Sequence, residues 1–151
     1  MTTDDVQLSG VIDQLPLGIW VARAPGGELL FANRVFREIM GIDARDDVAV
    51  GAYSEPYGIM GLDGAPYPEA RMPFVRALEA RTSVTVDDIV IHRHDGRRVN
   101  IRATARPHFD GDVITHVVIA FADITAEFEA RARQREAVER ARQDERLQAI
   151  G

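Results

Sequence analysis

Several residue types and patterns are missing from this 151-residue chain, and each absence narrows what the protein can do. Cysteine is absent, which excludes a disulfide framework, a thiolate metal site and a cysteinyl adduct to a chromophore. No apolar run approaches the roughly 20 residues of a membrane-spanning helix, and the acidic start, residues 1–5, is unlike a signal peptide. We therefore expect a cytoplasmic chain with no membrane span.

The balance of charged and apolar residues indicates one acidic domain. The chain carries 24 acidic and 18 basic residues, a formal net charge of −6, and every basic residue is arginine. A nucleic-acid surface normally needs a basic excess, so the composition argues against that class of partner. With 46% hydrophobic residues, the chain can bury one core of ordinary size. We expect one domain with an extension.

Periodicity and turn residues predict an ordered series of strands and helices. Asn33 is placed to cap a helix that Gly41 ends, and residues 42–67 are irregular. The Asp-Gly pairs at residues 95–96 and 110–111 predict two hairpins, which join three strands into a meander. The predicted elements are, in order, an amphipathic segment at residues 9–15, strands at 17–23 and 28–32, the capped helix, a helix at 68–80, strands at 84–93, 97–109 and 113–124, and a long polar helix at 126–150.

Four groups of residues, in this order, resemble the signposts of a PAS domain. They are Leu30-Phe31-Ala32-Asn33 with Phe36 and Gly41, then Leu62-Asp63-Gly64-Ala65-Pro66-Tyr67-Pro68, then His94-Asp95-Gly96-Arg97-Arg98, and finally Asp123-Ile124-Thr125. The resemblance implies an α+β fold with a five-stranded antiparallel sheet, helices on one face and a projecting C-terminal signalling helix. It also implies three parts: an N-terminal extension (1–8), a PAS domain (9–125) and a helical linker or coiled coil (126–151).

The end of the chain carries a second resemblance. Residues 145–151 are similar to the segment that leads into the phosphoacceptor helices of bacterial sensor histidine kinases. The phosphoacceptor histidine and the ATP-binding domain would lie beyond Gly151. The resemblance therefore implies the sensory input of a two-component histidine kinase, with kinase domains in cis and no catalytic residue in this chain.

Strand alternation and helical stripes predict a ligand pocket between sheet and helices. Ala103 and Ala105 are small, so they either leave room for a small apolar ligand or are covered by larger side chains. The first strand is ambiguous, because either Trp20 or its neighbours Ile19 and Val21 could face this pocket. The predicted pocket residues are Phe36, Met40, Met72, Val75, Ile89, Ile91, Ile101, Ala103, Ala105, Ile119 and Phe121.

The cofactor of such a pocket is left open. The resembled family includes flavin adducts, which need a cysteine, and haem held by a histidine on the helix before the meander. This chain has no cysteine and residues 69–80 contain no histidine, so a cysteinyl-flavin adduct is excluded and haem is disfavoured. His92, His94 and Asp95 form the one metal-like group. We interpret it as a solvated turn, because no orienting partners are evident, and predict no metal site.

The junction after the last strand is the predicted signal relay, formed by Asp123, Ile124 and Thr125. Asp123 can accept hydrogen bonds from the first turn of the helix, and Ile124 can anchor the junction in apolar surface. Replacing Asp123 with alanine is expected to leave the domain folded but uncoupled from its output.

The long polar helix is the predicted homodimer contact. Its sparse apolar positions are Phe128, Ala132, Val138, Ala141 and Leu147. A strict heptad from Phe128 places charged residues at or near the seam, which makes the coiled coil weak; they are Arg135, Arg142 and Glu145. A weak seam permits two registers that differ by only a few kcal/mol, between which a small shift could choose. A solvated spacer is the alternative for this helix.

Three functions are compatible with these patterns. The first is signal sensing, through a small molecule or a rearranged dimer, relayed through the C-terminal helix. The second is dimerisation and scaffolding without a ligand. The third, a small α+β enzyme, is disfavoured because the predicted inner face carries no ionisable residue.

Overall fold

Six antiparallel strands form one sheet, in the order β2-β1-β6-β5-β4-β3, in a computed structural model that describes residues 16–41 and 58–150. The predicted segment at 9–15 lies outside these residues, as do residues 42–57. The elements are β1 (Gly18–Arg23), β2 (Leu29–Ala32), α1 (Arg34–Met40), β3 (Ile59–Gly61), a 3₁₀ turn (Glu69–Arg71), α2 (Pro73–Ala80), β4 (Val84–His92), β5 (Arg98–Asp110), β6 (Val113–Asp123) and α3 (Thr125–Ile150).

The α+β architecture and its element order are confirmed, with one strand more than predicted. The extra strand, β3, pairs with the outer edge of β4. It is only three residues long, so it shows no alternation that sequence reasoning could detect. All three strands of the meander end within two residues of their predicted bounds.

The helix predicted at residues 68–80 is two elements. A residue that precedes proline is forced out of the α region, and Met72 has φ −55° and ψ 140°. The 3₁₀ turn therefore stops at Met72, and α2 begins at Pro73, where the missing N–H is tolerated. The break changes the phase of the helix. Phe74 and Ala77 face the core, while Val75 is half-buried at its margin.

The core lies between one face of the sheet and helices α1 and α2. In β1, Trp20 and Ala22 are buried, which resolves the ambiguity of the first strand. In β5, Ile101, Ala103 and Ala105 are fully buried at alternating positions. Helix α2 lies over β4, β5 and β6. The two alanines thus belong to the packed core that this helix covers.

Asn33 is both the N-cap of α1 and a buried anchor for β1. Its side-chain oxygen accepts the backbone N–H groups of Phe36 (2.9 Å) and Ile19 (2.8 Å), and its amide donates to the carbonyl of Leu17 (2.8 Å). The side chain is 1% exposed. Three hydrogen bonds thus compensate for the hydration that its polar atoms lose on burial. Sequence reasoning predicted the cap and missed the anchor.

Helix α3 follows β6 and contacts β5, where Arg102 pairs with Glu127 in the first turn of the helix. At about 1.5 Å per residue its 26 residues extend about 39 Å. Side chains 126–149 are exposed in the single chain. No helix among the described residues is long and apolar enough to cross a membrane.

Candidate functional site

A small cavity lies in the core, between the sheet and the two short helices. Its volume is about 40 Å³, and every side chain that lines it is apolar. Two aromatic contacts shape its walls. Trp20 meets Phe74 edge to face, with centroids 6.0 Å apart, and Phe36 meets Phe121 at 5.4 Å. The lining residues are Trp20, Phe36, Met40, Ile59, Met72, Pro73, Phe74, Ile89, Ile101, Ile119 and Phe121.

The structure brings most of the predicted pocket residues to this cavity. Ile91, Ala103 and Ala105 are buried in the core but do not line the cavity, and Val75 is half-buried at the core margin. The predicted residues that do line it are Phe36, Met40, Met72, Ile89, Ile101, Ile119 and Phe121.

Four lining residues were absent from the predicted pocket. Ile59 lies on β3, which the sequence did not reveal, and Trp20 lies on the strand whose orientation was ambiguous. Pro73 and Phe74 lie at the start of α2. The signal that could have found Phe74 is Pro73 itself, since a helix that begins at a proline has a predictable phase.

The cavity limits what it can hold in this conformation. Ligand pockets usually measure roughly 300–1,000 Å³, whereas this cavity has room for only a few atoms. An apolar lining offers no hydrogen bond and no ionic contact to a polar cofactor. Binding anything of flavin or haem size would require the residues that line the cavity to move apart.

A polar cluster holds the segment before α2 against strand β4. The hydroxyl of Tyr67, which is 2% exposed, donates to Asp88 at 2.9 Å, and Arg71 pairs with the same carboxylate at 3.2 Å. Arg71 also lies over the Tyr67 ring, 5.7 Å from its centroid. Burial, followed by the hydrogen bond and the charge of Asp88, raises the pKa of Tyr67 to about 12. Asp88 sits where the pairing of β4 with β5 shifts register.

The junction into α3 is a compact hydrogen-bond network. The carboxylate of Asp123 accepts from the backbone N–H of Thr125 (2.9 Å) and from its hydroxyl (2.6 Å). Asn100 of β5 completes the network through its backbone. Its N–H donates to the Thr125 hydroxyl (3.0 Å), and its carbonyl accepts the N–H of Ile124 (2.8 Å). Ile124 is 8% exposed.

An ion pair adds a second tie between β5 and the first turn of α3. Arg102 contacts Glu127 at 3.2 Å. Both side chains are partly exposed, so the pair contributes at most about 1 kcal/mol. The three predicted relay residues thus occupy one junction, and sequence reasoning missed its fourth member, Asn100.

The predicted dimer positions are all exposed on α3. Phe128, Val138 and Leu147 expose 37%, 47% and 68% of their surface. At about 100° per residue, Phe128 and Ala132 share one side of the helix, while Val138 and Ala141 lie on another. The apolar residues therefore do not form one continuous stripe.

The metal-like group of the sequence is a hydrogen-bonded turn. The carboxylate of Asp95 pairs with Arg93 at 3.0 Å and accepts the backbone N–H of Arg97. These contacts, the backbone one first, lower the pKa of Asp95. Among residues 16–41 and 58–150, no three or more histidine, aspartate or glutamate side chains come together as a metal site.

Comparison with solved structures finds the same fold in proteins of distant sequence. An RNA-binding light-oxygen-voltage receptor is 21% identical, with a TM-score of 0.63 over 95% of this chain and 40% of that one. The chain thus spans less than half of that receptor. A sensory box histidine kinase/response regulator from Burkholderia thailandensis is 18% identical, with a TM-score of 0.59 over 91% of this chain and 98% of that one.

The PAS domain of the fruit-fly ELK potassium channel has a TM-score of 0.58 at 13% identity, over 83% of this chain and 99% of that one. No curated protein matches the chain. The family model of the PAS domain matches residues 16–126, which hold the whole sheet, both short helices and the junction with α3. The chain therefore belongs to the PAS domain family, a family of sensory modules.

Proposed function

We propose that this PAS domain is a signal input that couples the packing around its cavity to the position of α3. One observation carries the proposal. Neighbouring residues of β5 face the two sites: Ile101 lines the cavity, and the backbone of Asn100 holds Thr125 and Ile124 at the start of α3. A shift of β5 caused by a change in the cavity would therefore move the groups that orient the helix.

The chemistry of the cavity sets the class of ligand. A neutral, apolar molecule is favoured, because a charged or polar one would lose its hydration without a compensating partner. A few atoms fit the cavity as it stands. A larger ligand would have to displace the thioether side chains of Met40 and Met72, which are flexible enough to repack.

The proposed output is a histidine kinase in the same polypeptide, located in the cytoplasm. Two observations support it: residues 145–151 resemble the segment before the phosphoacceptor helices, and a sensory box histidine kinase/response regulator shares the fold. In this proposal the PAS domain has no catalytic role. It pairs with a second copy through α3 and changes the register of that pair.

Native mass spectrometry of the purified full chain, with an absorbance spectrum of the same sample, tests the ligand part of this proposal. We expect a copurifying neutral molecule that survives gentle ionisation and is lost in Met72→Trp, which fills the cavity. Met60→Trp is the matched control, since Met60 is half-buried on β3 and does not line the cavity. An empty chain under every growth condition would contradict ligand sensing.

A second function, dimerisation without a ligand, is favoured by one observation, the small volume of the cavity. In that case the domain only pairs protomers, and cavity variants leave the output unchanged. Activity of an intact kinase that contains Met72→Trp separates the two functions. Altered signalling favours sensing, and unaltered signalling with an intact dimer favours scaffolding.

A further inference from the structure

Three arginines form a stripe along one side of α3, which we call the arginine stripe. Arg131, Arg135 and Arg142 follow one another at spacings of four and seven residues. At about 100° per residue, these spacings place the three side chains within about 40° of one another around the helix. Val138 lies on the same side, and the four residues line one shallow groove of the helix surface. All four side chains are exposed in the single chain.

The arginine stripe has no carboxylate partner among the residues that the structure describes. The ion pairs that α3 makes are Glu136–Arg140 and Glu127–Arg102, and neither includes an arginine of the stripe. Among the residues that line the groove, Glu139 alone is acidic, and it forms no ion pair there. Three positive charges against one negative charge leave the groove positive, on a chain whose formal net charge is −6.

Pairing two copies of α3 through Val138 would bring their two arginine stripes together. In the heptad that starts at Phe128, all three arginines occupy the two positions of the seam, and in a parallel pair each seam residue faces its own copy. Glu145 is the acidic residue of this seam, and it forms no ion pair with Arg142 in the structure. Arginine stays charged at every physiological pH, so loss of a proton cannot relieve the repulsion.

We propose that the two arginine stripes of a homodimer form a binding site for a small, multivalent, phosphate-type oxyanion. The inference rests on the proposed pairing of two copies through α3, because one chain supplies only half of the site. A guanidinium group binds phosphate oxygens through two parallel N–H donors, which gives both strength and orientation. An anion with several charges can therefore join an arginine of one protomer to the same arginine of its partner.

The rest of the chain favours a small anion over a nucleic acid. The arginine stripe extends about 16 Å along the helix, at about 1.5 Å per residue from Arg131 to Arg142. Outside this short stretch, the acidic chain would repel a long polyanion, which needs a basic surface along its whole contact. An anion with one or a few phosphate groups can instead lie between the two helices.

Anion binding would add an input that does not use the cavity. Because the anion binds the pair and not the single chain, it stabilises the pair by mass action. It also favours the register of α3 that places the arginines at the seam over a register that places them outside. The concentration of the anion would thus influence which register the two helices adopt.

Sedimentation of the full chain in sodium pyrophosphate, with sodium chloride of the same ionic strength as the reference, tests the site. Charge screening follows ionic strength, so a difference between the two solutions reports binding of the anion. We expect the dissociation constant of the dimer to be at least tenfold lower in pyrophosphate. A dimer with equal dissociation constants in the two salts would overturn the anion site and leave the pairing through α3 intact.

A pair of double variants assigns the effect to the arginine stripe. Arg135→Gln with Arg142→Gln removes two arginines of the stripe, and we expect a dimer at least as tight as the parent in sodium chloride, with no further response to pyrophosphate. Arg133→Gln with Arg146→Gln is the matched control, because it changes the net charge equally at positions more than 90° away around the helix. The control should keep the response to pyrophosphate.

Two results would overturn the proposal in different ways. Equal loss of the pyrophosphate response in both double variants would show an effect of net charge and contradict a site at the arginine stripe. A chain that stays monomeric in both salts would contradict the pairing through α3, and the site would be overturned with it.

Discussion

At the scale of single residues, the carboxylate of Asp88 holds the segment that leads into the cavity lining. It holds Tyr67 and Arg71, and the chain continues from Arg71 directly into Met72 and Pro73, which line the cavity. Breaking these bonds would loosen the segment that carries Met72 and Pro73, two of the residues that line the cavity. Asp88 lies at the register shift of β4, and its neighbour Asp87 is exposed.

We predict that Asp88→Asn accelerates amide hydrogen exchange in residues 67–74 by at least tenfold. The neutral amide keeps one acceptor for Tyr67 but loses the ion pair with Arg71. Asp87→Asn is the matched control and should leave exchange unchanged. Equal acceleration throughout the sheet in Asp88→Asn would show a loss of global stability and contradict a local closure.

The raised pKa of Tyr67 predicts that the free energy of unfolding decreases at alkaline pH. Its pKa in the folded chain is about 12, above the ordinary value of 10.0, so the unfolded chain releases the phenolic proton first as the pH rises. The stabilisation is complete below pH 10 and is lost as the pH rises towards 12. A loss on the order of 2 kcal/mol is expected over that interval. Urea unfolding of the parent and of Tyr67→Phe measures it, and parallel pH profiles would contradict it.

Alanine substitutions at Gly41 and Gly96 distinguish the cost of backbone strain from the cost of a steric clash. Gly41 and Gly96 both have positive φ, 73° and 87°, but a Cβ at Gly41 would lie 2.8 Å from Nε of Arg93, while a Cβ at Gly96 would meet nothing. Arg93 also donates to the carbonyl of Glu38 at the end of α1 (2.5 Å). Gly96→Ala should lower the free energy of unfolding by about 1 kcal/mol and Gly41→Ala by about 2 kcal/mol. Equal losses in urea unfolding would contradict the role of Arg93.

At the scale of elements, prediction succeeded where local chemistry decides the structure. Asn33 as an N-cap, Gly41 as a helix stop with φ 73° and the Asp-Gly turns of the meander all follow from short-range rules. Prediction failed where distant packing decides. Strand β3 exists because the edge of β4 is available, and Asn33 also bonds to the backbone of Ile19 on β1, which is 14 residues away in the sequence.

The residues that line the cavity show the same contrast between what local sequence decides and what distant packing decides. Alternation in β4, β5 and β6 placed Ile89, Ile101 and Ile119 correctly, because the period of a strand fixes its faces. Alternation says nothing about what covers a face. The positions of Ala103 and Ala105 under α2, and of Phe74 beside Trp20, depend on how the helix packs on the sheet.

The start of α3 depends on one hydroxyl. Thr125→Val keeps the shape of the side chain and removes the group that joins Asp123 to Asn100. We predict a loss of 1–2 kcal/mol, since two hydrogen bonds go and the N–H of Asn100 is left without its acceptor. Amide exchange should accelerate in residues 124–128 and stay unchanged in α1. Thr104→Val, which alters an exposed cross-strand hydroxyl pair, is the control.

At the scale of the whole molecule, α3 exposes apolar surface that a second copy would cover. Val138 lies near the heptad seam that starts at Phe128, together with arginines that weaken it. We predict a concentration-dependent dimer that Val138→Glu dissociates, with at least a tenfold higher dissociation constant by sedimentation. Glu139→Gln is the control for a change on the same helix. An unchanged dissociation constant in Val138→Glu would contradict a dimer interface on α3.

The central claim is that the cavity and the start of α3 communicate through β5. NMR of the full chain under xenon pressure tests it directly, because xenon enters small apolar cavities without polar contacts. We predict amide shift changes at Ile101 and Asn100 that continue into Ile124 and Thr125, and that are smaller at Thr125 in Thr125→Val, which keeps only the backbone bond from Ile124 to Asn100. Xenon-induced shifts confined to the cavity lining, with unchanged amides in residues 124–128, would contradict it.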